Sequence, residues 1–165
     1  EIHDAFRDVY LRHREDVFRY LRARLGETEQ ALEVTAVTFE RALVAFHRFA
    51  NRGAGPLPWL IRIARNAAID VDRQQGRFEW AHELTEPMSP EPGPEAAAVL
   101  ADEIQHLRRL VAALPNPARD AIAMRYGSDM SAREIALVLG KSEAATHKLL
   151  QRTLAQLKEA HRDED

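Results

Sequence analysis

Apolar positions recur at helical spacing along most of the chain. Val9, Phe18, Tyr20, Leu21 and Leu25 mark a first run. Gly26 stops it, because glycine accepts the left-handed backbone that ends a helix. Val34, Val37, Phe39, Leu43 and Phe46 mark a second run, from about Glu29 to Phe49. The loop Asn51-Arg52-Gly53-Ala54-Gly55-Pro56 separates it from a third, which starts near Pro58 and continues past Arg73. Further on, a helix is expected near Glu95–Leu114, then Leu114-Pro115-Asn116-Pro117, then three shorter segments punctuated by Gly127 and Gly140. No stretch alternates apolar and polar residues as a strand would, and no internal repeat is visible. The pattern predicts an all-α fold of two small helical domains.

Between the two halves the periodicity fails. Pro87, Pro90, Pro92 and Pro94 fall within eight positions, and residues 81–102 carry five acidic and no basic side chains. Proline lacks the amide hydrogen and restrains the residue before it, so residues 81–96 read as an extended acidic linker between domains at 1–80 and 97–165. The alternative is a long ordered loop inside one domain.

Composition then removes whole classes of function. None of the 165 residues is cysteine, which excludes a disulfide framework, thiolate metal sites and a cysteine nucleophile. The histidines (His3, His13, His47, His82, His106, His147, His161) are scattered, with no His-Glu-x-x-His pattern, and Gly53-Ala54-Gly55 lacks the context of a phosphate loop. No enzyme activity, cofactor or metal is expected. No apolar run approaches the roughly 18–20 residues that cross a bilayer, and no signal-peptide pattern opens the chain, so a cytoplasmic protein is expected. The net charge of −3 argues against tight solitary binding to nucleic acid, where phosphate neutralisation supplies most non-specific affinity.

The third run carries two chemically different faces. Projected at about 100° per residue, Arg62, Arg65, Asn66, Ile69, Arg73 and Arg77 fall on one side of residues 58–77, and Leu60, Ile63, Ala64, Ala67 and Val71 on the other. A row of planar guanidiniums suits a phosphate backbone, and Asn66 can donate and accept at a base edge. Trp59, beside the glycine-containing loop, is expected to offer an indole on which an extruded base could stack. The plainer alternatives are a solvated basic face, a core tryptophan, and Asp70 and Asp72 pairing the arginines internally.

Residues 117–157 read as a helix-turn-helix. Ser131 and Glu134 have capping-box spacing, Gly140 permits a tight turn, and Ser142 is placed to cap the next helix. Leu150, Leu154 and Leu157 are expected to face inward, with Ala144, Lys148, Gln151, Arg152 and Ala155 opposite and His147 at the margin. Small Ala144 would admit close approach to a groove. Lys148 and Arg152 could reach phosphates, and Gln151 or His147 a base edge. The alternative is a helical hairpin used only for packing.

The two halves together resemble a known family. WLIRIARNAAIDVDR (59–73), with TFERALVAFHRF (38–49) before it, is similar to the most distinctive block of the extracytoplasmic-function (ECF) sigma factors, the small promoter-recognition subunits of bacterial RNA polymerase. LPNPARDAIAMRYGSDMSAREIALVLGKSEAATHKLLQRTLAQL (114–157) resembles region four of the same family. The resemblance implies that the first domain (region two) binds the β′ clamp helices of core polymerase, melts the minus-ten element and captures a flipped non-template base. The second would read the minus-thirty-five element and meet the β-flap. It places Arg62, Arg65, Asn66, Asp70 and Arg73 in the minus-ten block, Asn51–Gly55 at the flipped base, and Lys148, Gln151 and Arg152 in the recognition helix, where Ser142, Ala144 and His147 complete the DNA-binding set expected from the helix-turn-helix reading. Polymerase contact falls to Glu33, Ala36, Val37, Glu40 and Arg41, with Ala36 and Val37 standing where relatives carry a polar pair. The resemblance further implies an anti-sigma partner and a monomeric free chain. A stand-alone helix-turn-helix regulator, dimeric on a palindromic site, is the competing reading.

Overall fold

The computed structural model describes residues 1–76 and 96–163. Its regular structure is helical throughout, in the order α1 (Ile2–Leu25), α2 (Thr28–Ala45), a 3-10 turn (Phe46–Arg48), α3 (Leu57–Gln75), α4 (Ala96–Ala112), α5 (Asn116–Ile122), a π-helical turn (Ala123–Gly127), α6 (Ala132–Leu139) and α7 (Glu143–Asp163). No strand occurs among the described residues. Residues 81–95 of the expected linker, and Arg77, lie outside them.

Local chemistry sets the helix ends. Gly26 takes φ 80° and its N–H returns to the Arg22 carbonyl. At Ser131 the capping box closes in both directions: Glu134 N–H donates to Ser131 Oγ at 3.1 Å, and Ser131 N–H to Glu134 Oε1 at 3.0 Å. Gly140 takes φ 65°, and the Lys141 N–H reaches back to the Ala136 carbonyl at 3.1 Å. The second apolar run, expected to stay helical to Phe49, leaves the α-helix at Ala45 and tightens into the 3-10 turn.

α1, α2 and α3 bundle through Val17, Leu21, Ala31, Val34, Phe39, Ala42, Leu60, Ala64 and Ala67, all buried. Alanines on α3 let the helix axes approach closely. The second half packs α4 to α7 around Ile122, Met124, Met130, Ile135 and Val138. These two assemblies are not separate. Met124, Met130, Ile135 and Val138 belong to the same apolar cluster as Val17, Tyr20, Leu21, Ile61 and Ala68. Ser128 Oγ donates to the Asp16 carbonyl at 2.5 Å. Gly127 lies so close to α1 that a Cβ there would sit 2.8 Å from the Arg19 carbonyl oxygen and 3.0 Å from Ala23 Cβ.

Candidate nucleic-acid interface

The loop before α3 is organised by its own side chain. Asn51 Oδ1 accepts from the N–H of Gly53 at 3.0 Å and of Gly55 at 3.3 Å. Both glycines have positive φ, and a Cβ at either would meet nothing within 4 Å, so backbone conformation rather than space requires glycine. Asn51 therefore holds the loop's shape, while Arg52 is exposed beside it. Trp59 departs from expectation. Its ring is half-buried, 4.8 Å from Phe49 and 6.3 Å from Phe46 between centroids, so the indole already has aromatic neighbours. A large apolar ring gains more from closing the end of the bundle than from standing in water.

α3 presents three stripes, not two. Leu60, Ala64, Ala67 and Val71 face the first bundle. Arg62, Asn66 and Arg73 are exposed on one line. Ile61, Arg65, Ala68 and Asp72 form a third line, turned toward the second half. Arg65 lies about 60° around the helix from Arg62, since three residues advance about 300°. That offset takes it out of the expected outward row. Its Nε donates to Asp120 Oδ2 at 2.7 Å. Arg62 stays exposed, yet its Nη2 donates to the Leu137 carbonyl at 2.5 Å. Asp70 pairs with Arg41 at 3.3 Å. Asn66 lines a shallow groove of about 450 Å³ with Glu40, Arg41, Val44, Arg48 and Ile63.

Asp120 is fully buried and anchors a polar network at the junction. It also accepts from Tyr20 Oη at 2.9 Å and Arg24 Nε at 2.5 Å. Asp72 accepts from Arg24 at 2.8 Å and Arg119 at 2.7 Å, and Asn116 Oδ1 takes a second bond from each of these arginines. Burial, then the Asp120 charge, hold the Tyr20 hydroxyl protonated well above a phenol's ordinary range. Burial disfavours charge on Arg24, but the bond to Asp72 and the charge of Asp120 outweigh it and raise its pKa. Arg119 shifts the other way, because burial and the neighbouring Arg24 outweigh the two carboxylates. Sequence spacing carries no sign of this network: the partners bonded across the junction stand 47 to 100 positions apart.

On α7, Ser142 Oγ accepts the Ala145 N–H at 3.0 Å, so the hydroxyl is committed to the cap. Ala144, His147, Lys148, Gln151 and Arg152 are exposed on the helix beyond it, and His147 Nε2 lies 3.9 Å from the Glu143 carboxylate. Leu150, Leu154 and Leu157 are half-buried, as their spacing predicts. The fully buried anchors are instead Thr146 and Thr153, one heptad apart. Thr146 Oγ1 donates to the Ser142 carbonyl at 2.9 Å, which lets a hydroxyl enter the interior.

Residues 9–78 match the family model for Sigma-70 region 2, and residues 104–157 that for Sigma-70, region 4. The chain is 32% identical over 162 residues to the ECF RNA polymerase sigma factor SigD of Mycobacterium tuberculosis, covering 94% of this chain and 76% of SigD. The chain belongs to the ECF sigma factors. It is also 32% identical over 161 residues to the ECF sigma factor BldN of Streptomyces coelicolor, covering 93% of this chain and 60% of BldN. Among solved structures, CnrH in complex with the cytosolic domain of CnrY aligns with TM-score 0.70 and 24% identity over 99% of this chain and 90% of CnrH. RpoE from Bartonella quintana, in complex with the anti-sigma factor NepR, aligns with TM-score 0.69 and 19% identity over 94% and 95%. Both share the fold.

Within this sigma factor, the α2 positions expected at the polymerase divide by burial. Glu33, Ala36 and Glu40 are exposed, and Arg41 is exposed while pairing with Asp70. Val37 is half-buried against the core and so departs from the expected surface row. Three apolar side chains stand out on the same helix: Leu43, which marks the second apolar run, is 45% exposed, and Leu32 and Val44, passed over in the sequence, are 55% and 71% exposed. The available signal was an excess of apolar residues over what one helix face can bury. Among the described residues no cluster of His, Asp or Glu is arranged to hold a metal ion, and no helix is long and apolar enough to cross a membrane.

Proposed function

We propose that this ECF sigma factor works through three exposed helix faces on two domains, 1–80 and 97–165, joined by residues 81–96. The α2 face meets the β′ clamp helices of core polymerase. There Leu32, Ala36 and Leu43 form an apolar line beside Glu33 and Glu40. The exposed line of α3, Arg62, Asn66 and Arg73, with Arg52 in the adjoining loop, holds the melted minus-ten strand. Arg65 joins it once freed from Asp120. Lys148, Gln151 and Arg152 of α7 enter the major groove at the minus-thirty-five element, flanked by Ala144 and His147, while the rest of that domain meets the β-flap. The chain acts as an initiation factor rather than an enzyme, in the cytoplasm, and an anti-sigma protein holds it in reserve.

The observation that carries this reading is the pair of exposed basic lines on α3 and α7, each inside the segment that matches its own sigma region. Extruding a base costs a few kcal/mol, which a chain of net charge −3 meets only with help. Core polymerase supplies it by holding both domains near the promoter at high effective concentration. Run-off transcription with purified core polymerase tests the assignment. A discrete transcript that needs both chain and core is expected; neither transcript nor core binding would overturn it.

A further inference from the structure

The line of α3 assigned to the melted strand carries a charge of the wrong sign. Asp70 lies about 40° around the helix from Asn66, because four residues advance about 400°, so a carboxylate stands beside Asn66 and Arg73 on the side offered to phosphates. Alone it would repel them. It has a partner on the neighbouring helix: Asp70 Oδ2 accepts from Arg41 Nη1 at 3.3 Å, across 29 positions of sequence. Both side chains are half exposed. Arg41, in turn, does not share the apolar line of α2 that is assigned to polymerase. Five residues advance about 500° and nine about 900°, so Arg41 lies about 140° around α2 from Ala36 and about 180° from Leu32. It occupies the flank toward α3, where it lines the shallow groove with Glu40, Val44, Arg48, Ile63 and Asn66. We propose that Arg41 contacts a backbone phosphate of the melted strand from this groove, and that Asp70 is a positioning residue that holds Arg41 there without itself touching the strand. This rests on Arg62, Asn66 and Arg73 being strand contacts.

The chemistry permits both bonds at once. A guanidinium carries several N–H donors in a planar fork, and the bond to Asp70 uses one nitrogen, so the group can keep its tether and still donate to a phosphate. The tether also lowers the cost of binding. A free arginine loses side-chain entropy when it is fixed on a ligand, and Asp70 removes part of that freedom before the strand arrives. α2 is then divided lengthwise: Leu32, Ala36 and Leu43 on the flank for polymerase, Arg41 on the flank for the strand. The resemblance to relatives gives Arg41 to polymerase and Asp70 to DNA; the geometry exchanges the two roles, with Arg41 on the strand and Asp70 behind it.

The test uses holoenzyme assembled from full-length chain and core polymerase. The probe is a fluorescein-labelled single-stranded DNA 12-mer of mixed sequence, read by anisotropy, with binding by core alone subtracted. Arg41→Ala is expected to weaken strand binding about fivefold and to flatten the log-affinity against log-salt slope by about 0.7, the share of one single-strand phosphate contact. Its affinity for core, measured by competition against dye-labelled wild-type chain, should not change. Asp70→Asn removes a negative charge, yet it is expected to weaken strand binding about two- to threefold, within what an exposed ion pair carries. In the Arg41→Ala background the same substitution should weaken nothing further, because only the repulsion is left to remove. Circular dichroism checks the helices; if Arg41→Ala loses them, Arg41→Gln decides. Lost core affinity with an unchanged salt slope would return Arg41 to the polymerase and overturn the inference. Tighter strand binding by Asp70→Asn alone would overturn it too, since the carboxylate would then be no more than a repulsive neighbour. Arg62→Ala and Arg73→Ala keep the underlying reading distinguishable. If both weaken strand binding while Arg41→Ala does not, the role of Arg41 falls alone; if neither does, the strand-binding face of α3 falls with it.

Discussion

Tyr20 shows how one side chain reports on the junction. Its hydroxyl is buried and donates to a carboxylate, so the phenolate is disfavoured twice, by burial and by the Asp120 charge. An unfolded tyrosine titrates near pH 10. The folded group titrates higher, so the native state binds more protons than the unfolded state above that pH. The stability that Tyr20 contributes is complete below about pH 10 and is lost as pH rises toward its folded pKa. Thermal melts of wild type are therefore expected to fall more steeply above about pH 10 than those of Tyr20→Phe. Parallel curves would show that Tyr20 is not held as the structure has it. At neutral pH Tyr20→Phe loses a bond to a charged acceptor, which costs about 1.5–3 kcal/mol in a rigid site. The measured loss is bounded above by the free energy that holds the halves together, since opening lets water hydrate Asp120 instead.

Among the elements, the α6–turn–α7 unit is where local chemistry is most explicit. Ser131→Ala removes the acceptor for the Glu134 N–H and should cost about 0.5–2 kcal/mol, read as a lower urea midpoint with unchanged slope. A loss well below that range would mean another group takes over the cap. On α7, Lys148→Ala and Arg152→Ala should weaken promoter binding of the polymerase complex across sequences and flatten its log-affinity against log-salt slope by about one each; an unchanged slope removes them from phosphate contact. These elements were legible because their causes are local: Gly26, Gly140, Ser131 and Ser142 act on neighbours within five positions. Much of α3 was legible too, including the exposed line of Arg62, Asn66 and Arg73. Its third stripe was not. Ile61 reads as one more apolar residue and Arg65 as one more arginine until a partner 55 positions away is known. Thr146 and Thr153 escaped for a different reason: threonine scores as polar, yet in a helix it can satisfy its own hydroxyl and bury the methyl group.

For the molecule as a whole, the shared core decides how the chain unfolds. Two independent bundles would melt separately, each with its own midpoint. Here Met124, Met130 and Ile135 are buried in one cluster with Val17, Tyr20 and Leu21, and the carboxylate of Asp120 reaches arginines on both α1 and α3. Separating the halves would expose that apolar surface at a cost proportional to area, so in wild type the loss of one half removes support from the other. Trp59 packs on the first bundle, so its fluorescence, read in a Trp80→Phe background, follows that half, while helical circular dichroism follows all of α1 to α7. The two signals are expected to give one urea midpoint in wild type, the mark of a single cooperative unit. Asp120→Asn should pull them apart, because each half then stands on its own core. Divergent midpoints in wild type would mean that the contact between the halves contributes too little to couple them, and the junction would then be a resting place rather than a latch.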